Sequence, residues 1–104
     1  MNLKELQADH RRWLAHNFPK QQAHEPLLGL VEEVGELAHA HLKSAQGIRE
    51  IDAEMDKVDA VGDIFIYLMS YCNSNGIDLE KAIAITWERV SARDWIEDPK
   101  KGGE

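Results

Sequence analysis

Cysteine occurs once in this chain of 104 residues, at Cys72, and has no CxxC partner. That excludes an internal disulfide and a cysteine-built zinc site, and leaves Cys72 the role of a buried hydrophobe. Long apolar runs are also missing. The longest, Ile64 to Met69, is far short of the roughly 18 residues that a membrane span needs, and the polar N-terminus lacks the apolar stretch of a secretory signal. The expected location is the cytoplasm, with no membrane partner. Basic residues are scarce beside acids, 12 Lys and Arg against 19 Asp and Glu, for a formal charge of −7. Sequence-independent binding to nucleic acid draws most of its free energy from cations on phosphates, so nucleic acid is not an expected partner. The same acidity repels a free nucleotide unless divalent cations stand between carboxylates and phosphates.

What is present suits a soluble globule: 43% hydrophobic and 30% charged residues in a length that holds one core. Leu3, Leu6, His10, Trp13 and Leu14 recur at helical spacing, Asn2 suits an N-cap and Pro19 closes the segment, so residues 2–17 read as a helix. Pro26 suits the first turn of a second helix. Its stripe is Leu27, Leu30, Val31, Val34, Leu37, Ala38 and Leu42, and it runs to about Ala45, before Gly47. A charged link over Arg49 to Glu54 leads to a third helix with Val58, Val61, Phe65, Leu68 and Cys72 on one side, ending near Gly76. Its stretch from Ile64 to Tyr71 is apolar on nearly every side, which predicts burial all round and a second copy to complete it. Asp78 suits the cap of a fourth helix with Leu79, Ala82, Ile83, Thr86, Trp87 and Val90 inward. Alternating strand patterns are lacking. The expected fold is an all-α four-helix bundle, oligomeric, with one domain over residues 1–97 and a flexible polar tail over 98–104.

Two segments repeat one pattern, Val31-Glu32-Glu33-Val34-Gly35-Glu36-Leu37 and, 27 residues later, Val58-Asp59-Ala60-Val61-Gly62-Asp63-Ile64. On a helix, Glu32 with Glu36 and Asp59 with Asp63 are i,i+4 pairs, and Glu33 with Glu36 an i,i+3 pair, so each helix projects carboxylates from a common side. Glycine inside a helix costs about 1 kcal/mol relative to alanine. Gly35 and Gly62 are therefore expected to repay it through close helix approach, bringing the acids of both helices into one small volume. Such crowding requires a cation or retained protons. Carboxylate oxygens without thiolates match hard cations, so magnesium, or manganese, is the expected metal.

With these residues in view, the chain resembles the MazG-type all-α nucleotide pyrophosphohydrolases, whose signature is EExxE followed by ExxD. The likeness rests on Glu32-Glu33-Val34-Gly35-Glu36 in GLVEEVGELAHAHLK and on the acidic GDIFIYL helix, and covers about residues 25 to 90. A variant branch is similar through WERVSARDW as well. The resemblance implies a magnesium-dependent homodimer or homotetramer that hydrolyses nucleoside triphosphates to monophosphate and pyrophosphate. By motif position Glu33, Glu36 and Asp63 are metal ligands, and Glu32 orients or deprotonates the attacking water or serves as a further ligand. The chain departs from ExxD, since Ala60 stands three before Asp63 and the acid is one residue earlier, at Asp59. One residue is about 100° around a helix. Either Asp59 binds metal itself, as in the DAVGD pattern of the variant branch, or the site holds fewer ions or is inactive. Asp56, one turn further back, is left out of the ligand set.

Lys43 lies two turns after Glu36, about 10 Å along the axis, which suits its ammonium to outer phosphates. Arg93 in the RDW segment is a candidate for the same part. His39 completes a Glu-x-x-His spacing of di-iron bundles, but the second copy needs His at 66, which is Ile66. His10, His16, His24 and His41 read as ordinary histidines, and Trp13, Phe18, Trp87 and Trp95 as core or interface. The competing reading is a non-catalytic helical module for metal binding or protein interaction, or a structural bundle with solvated acids.

Overall fold

In the computed structural model, residues 1–47 and 53–99 are described. They form α1 (Leu3–Asn17), α2 (Glu25–Gln46), α3 (Ala53–Ser74) and α4 (Leu79–Ser91), with no strand among the described residues. None of these helices is long and apolar enough to cross a membrane. Of the expected charged link, residues 49–52 lie outside the described residues, and Glu54 already belongs to α3. Residues 100–104 of the expected tail also lie outside them.

The helix ends follow local chemistry. Asn2 Oδ1 accepts from the Glu5 N–H at 2.8 Å, and Asp78 Oδ1 accepts from the Lys81 N–H at 3.1 Å, each satisfying an amide that the first turn leaves without a partner. Pro26, which has no N–H to lose, sits in the first turn of α2. Gly47 ends that helix at φ 73°, a left-handed conformation that side chains with a Cβ disfavour.

The most extensive helix pair is α2 against α3. They run antiparallel, with Gly29 near the start of α2 meeting Tyr67 late in α3, and Ser44 near the end of α2 accepting from Lys57 Nζ at 3.3 Å. Small side chains let the two approach: Ala40 and Ala60 are buried between the acid-bearing segments. The close approach at glycine is found elsewhere than expected. A Cβ at Gly35 or Gly62 would meet nothing within 4 Å, whereas one at Gly29 would run into the Tyr67 ring. Both glycines are exposed, and Gly35 borders the open cleft rather than a packed contact.

α1 closes the other end of the hairpin. Met69, Cys72 and Leu79 form the buried cluster, with Leu3, Leu6 and Leu68 packed on it. Beside this cluster runs a polar knot. Gln7, 4% exposed, donates from Nε2 to Asn73 Oδ1 (3.0 Å) and to the Ile77 carbonyl (2.8 Å), and accepts from the Leu79 N–H (2.9 Å). One side chain of α1 therefore ties the end of α3 to the first amide of α4.

Two expected burials do not occur in the single chain. In the Ile64 to Tyr71 stretch Met69 and Ser70 are buried and Ile64, Tyr67, Leu68 and Tyr71 half-buried, while Phe65 and Ile66 are 49% and 41% exposed. α2 packs along one side of α3 and α1 covers its last turns, which leaves the outer side of the stretch open among the described residues. On α4, Leu79 is buried but Ile83, Trp87 and Val90 stay open to solvent, since only the helix start is drawn into the core.

Candidate functional site

Helical periodicity, antiparallel pairing and the small alanines together place the acids on one side of the hairpin. A cleft of about 720 Å³ between α2 and α3 is lined by Glu32, Glu33, Glu36, His39 and Lys43 from α2 and by Asp56, Asp59 and Asp63 from α3. Gly35, Ala40 and Ala60 complete the lining. The sequence-derived acids Glu32, Glu33, Glu36, Asp59 and Asp63 are thus gathered, and Lys43 joins them.

The position that breaks the ExxD pattern has a structural reason. Ala60 is 5% exposed, packed where a longer side chain would have to push into the helix seam. Asp59 is exposed beside it and faces the same cleft as Asp63. The carboxylate is therefore supplied from the neighbouring arc of α3.

Glu33 and Asp63 meet across the cleft. The Glu33 carboxyl is held above the usual carboxylate range by desolvation, then by the negative charges of Asp63, Glu36 and Glu32, and by a side-chain hydrogen bond with Asp63. Crowded carboxylates raise the cost of ionising any one of them, and here that falls on Glu33. The donor set is of the hard oxygen kind that divalent ions such as magnesium prefer. Among the described residues, no three His, Cys, Asp or Glu side chains converge tightly enough to hold a bare metal ion.

Arg93 does not reach this cleft. It follows α4, which docks on α1 rather than on the acid-bearing face of the hairpin. Its guanidinium lies 3.7 Å over the Trp95 ring, and Nη2 donates to the Asp98 carbonyl, so its observed partners are local. Conversely, Asp56 and His39, left out of the ligand set on sequence grounds, both line the cleft. The signal for them was present in the spacing: Asp56 is one turn before Ala60, and His39 one turn after Glu36.

Against these observations, comparison of the chain with family models, curated proteins and solved structures finds no match.

Proposed function

We propose that this protein is a magnesium-dependent nucleoside triphosphate pyrophosphohydrolase, acting as a homodimer or homotetramer to remove unwanted nucleotides. The observation that carries the reading is the shared lining of one cleft by five acids from both repeats and by Lys43. Glu33, Glu36, Asp59 and Asp63 are the groups we assign to magnesium, with manganese as substitute. When bound, the metal supplies charge neutralisation and orientation for the triphosphate.

The remaining work falls to this chain's own side chains. Glu32, exposed on the cleft wall, orients the attacking water and accepts its proton. The water oxygen bonds to phosphorus as the anhydride between the α and β phosphates breaks, giving a nucleoside monophosphate and pyrophosphate. Lys43, further along α2, meets the outer phosphates with its ammonium. No covalent nucleophile is required.

A second reading, a non-catalytic module, is favoured by the missing three-residue convergence among the described residues. Incubation with a panel of nucleoside triphosphates and magnesium separates the two. Release of pyrophosphate in equal amount to monophosphate supports the enzyme, and no turnover with any nucleotide supports the module.

A further inference from the structure

Where α1 meets the end of α3 and the start of α4, three backbone groups dictate how the polar side chains are turned. The Leu79 N–H can only donate and the Ile77 carbonyl only accept, so Gln7 presents Oε1 to the first (2.9 Å) and Nε2 to the second (2.8 Å). The other Nε2 hydrogen goes to Asn73 Oδ1 at 3.0 Å. Asn73 is fixed a second time, because its Nδ2 donates to the Gln7 carbonyl at 3.2 Å. Its remaining hydrogen meets His10 Nδ1, 3.1 Å away. His10 Nδ1 is therefore the acceptor that ends a one-way relay starting at α4, which assigns the ring as neutral with its proton on Nε2.

We propose that His10 is a pH-sensitive latch: a proton gained by its ring breaks this relay and releases the start of α4 from α1 while the α2–α3 hairpin stays folded. The protonated ring carries an N–H at Nδ1, facing the Asn73 amide donor. Turning the ring presents a C–H there instead. Rotating the Asn73 amide sets its Nδ2 against Gln7 Nε2, and rotating Gln7 in turn sets Nε2 against the Leu79 N–H. Each repair moves the conflict one step toward α4. It ends at Leu79, whose amide stands in the first turn of a helix and has no intrahelical acceptor to fall back on.

The surroundings supply no carboxylate for the extra charge. His10 is buried, and its Nε2 has no hydrogen-bond partner among the described residues. On α1, Trp13 lies tilted against the ring, and Asp9 and Arg12 pair with each other on the exposed side. α3 brings the uncharged Asn73 and, in the adjoining cluster, the Cys72 thiol, which burial keeps protonated. α4 brings the Leu79 amide, while Asp78 is exposed and caps the Lys81 N–H. Desolvation therefore governs the imidazole and opposes its charged form. The release is local, because α2 and α3 share the most extensive helix contact and α4 docks chiefly on α1.

The test is NMR of the full chain from about pH 7 to about pH 4.5. It reads the His10 ring shifts beside amide exchange in α2 and over Leu79 to Ala82, corrected for the pH dependence of unprotected amides. Protection over Leu79 to Ala82 is expected to fall roughly tenfold as the ring titrates, with a shared midpoint, while α2 changes by less than about twofold. In His10→Gln, whose side chain keeps an acceptor and has no proton to gain, the α4 amides are expected to ignore acid. Equal loss in α2 and α4, loss that persists in His10→Gln, a ring that titrates without loosening α4, or a ring that stays neutral throughout overturns the proposal. If His10→Gln does not fold, coincidence of the two midpoints in the unaltered protein decides. The latch does not rest on the pyrophosphohydrolase reading, which pyrophosphate release tests separately.

Discussion

Glu33 of α2 and Asp63 of α3 line one cleft from opposite helices, and desolvation, then the negative charge of Asp63, holds the Glu33 carboxyl above the usual carboxylate range. Because the folded-state pKa of Glu33 is raised, its contribution to stability is fully present below the unfolded value and is lost as pH rises through the folded one. Thermal melts in chelator, from about pH 4 to pH 7, are expected to show the unaltered protein losing stability relative to Glu33→Gln as pH rises. Parallel pH profiles for the two proteins would show that Glu33 carries no raised pKa.

Addition of magnesium at neutral pH is expected to compete with protonation of Glu33, whose carboxyl is held above the usual range. Binding should then release protons into weakly buffered solution, and the amount released should fall in Glu33→Gln. Calorimetry in two buffers of different ionisation enthalpy measures it. Equal proton release from both proteins would place the titrating group elsewhere.

The glycines separate close packing from open surface. Gly29→Ala is expected to destabilise the protein by about 1–3 kcal/mol, since its Cβ would meet the Tyr67 ring and a packed aromatic must shift. Gly35→Ala, with open space around it, is expected to stabilise by about 0.5–1 kcal/mol through helix propensity. Urea melts of the two variants check the opposite signs.

Gln7→Ala leaves the Leu79 N–H and the Ile77 carbonyl without their side-chain partner. A cost of about 1–3 kcal/mol is expected from such orphaned groups. Amide exchange should accelerate first at the start of α4, because Gln7 is what ties that helix to α1. Uniform acceleration along the chain would contradict this local role.

His10 sets a limit on the acid side. Its ring is buried, burial lowers its pKa, and Nδ1 lies 3.1 Å from Asn73 Nδ2. An amide donating to Nδ1 requires a neutral ring, with the tautomer assigned from that contact. Its stabilisation is present above the unfolded value of about 6.5 and is lost as pH falls from there through the lowered folded value. His10→Gln is expected to flatten the pH dependence between about pH 6.5 and 5, as read by thermal melts.

The acids were legible in the sequence because helical periodicity alone decides which side chains share a face. Glu36 and Asp63 needed only an antiparallel partner to meet. Gly29 was not legible: the residue that needs its missing Cβ, Tyr67, is remote in sequence, and no local pattern reports which turn of one helix crosses another. Gln7 was missed for a related reason, since a polar residue beside Leu6 reads as solvent-facing until Asn73, Ile77 and Leu79 supply its bonds. The stripes on α3 and α4 were legible as apolar faces, yet periodicity does not state what covers them. Val58, Phe65 and Trp87 accordingly proved open in the single chain.

Binding of manganese, followed by its electron paramagnetic resonance signal, in the unaltered protein and in Glu36→Gln/Asp63→Asn is the most direct test that these carboxylates form a divalent-cation site. At least a tenfold loss of affinity is expected in the double variant, in line with removal of ligands, with helical content retained. Equal affinity in both proteins would contradict the site.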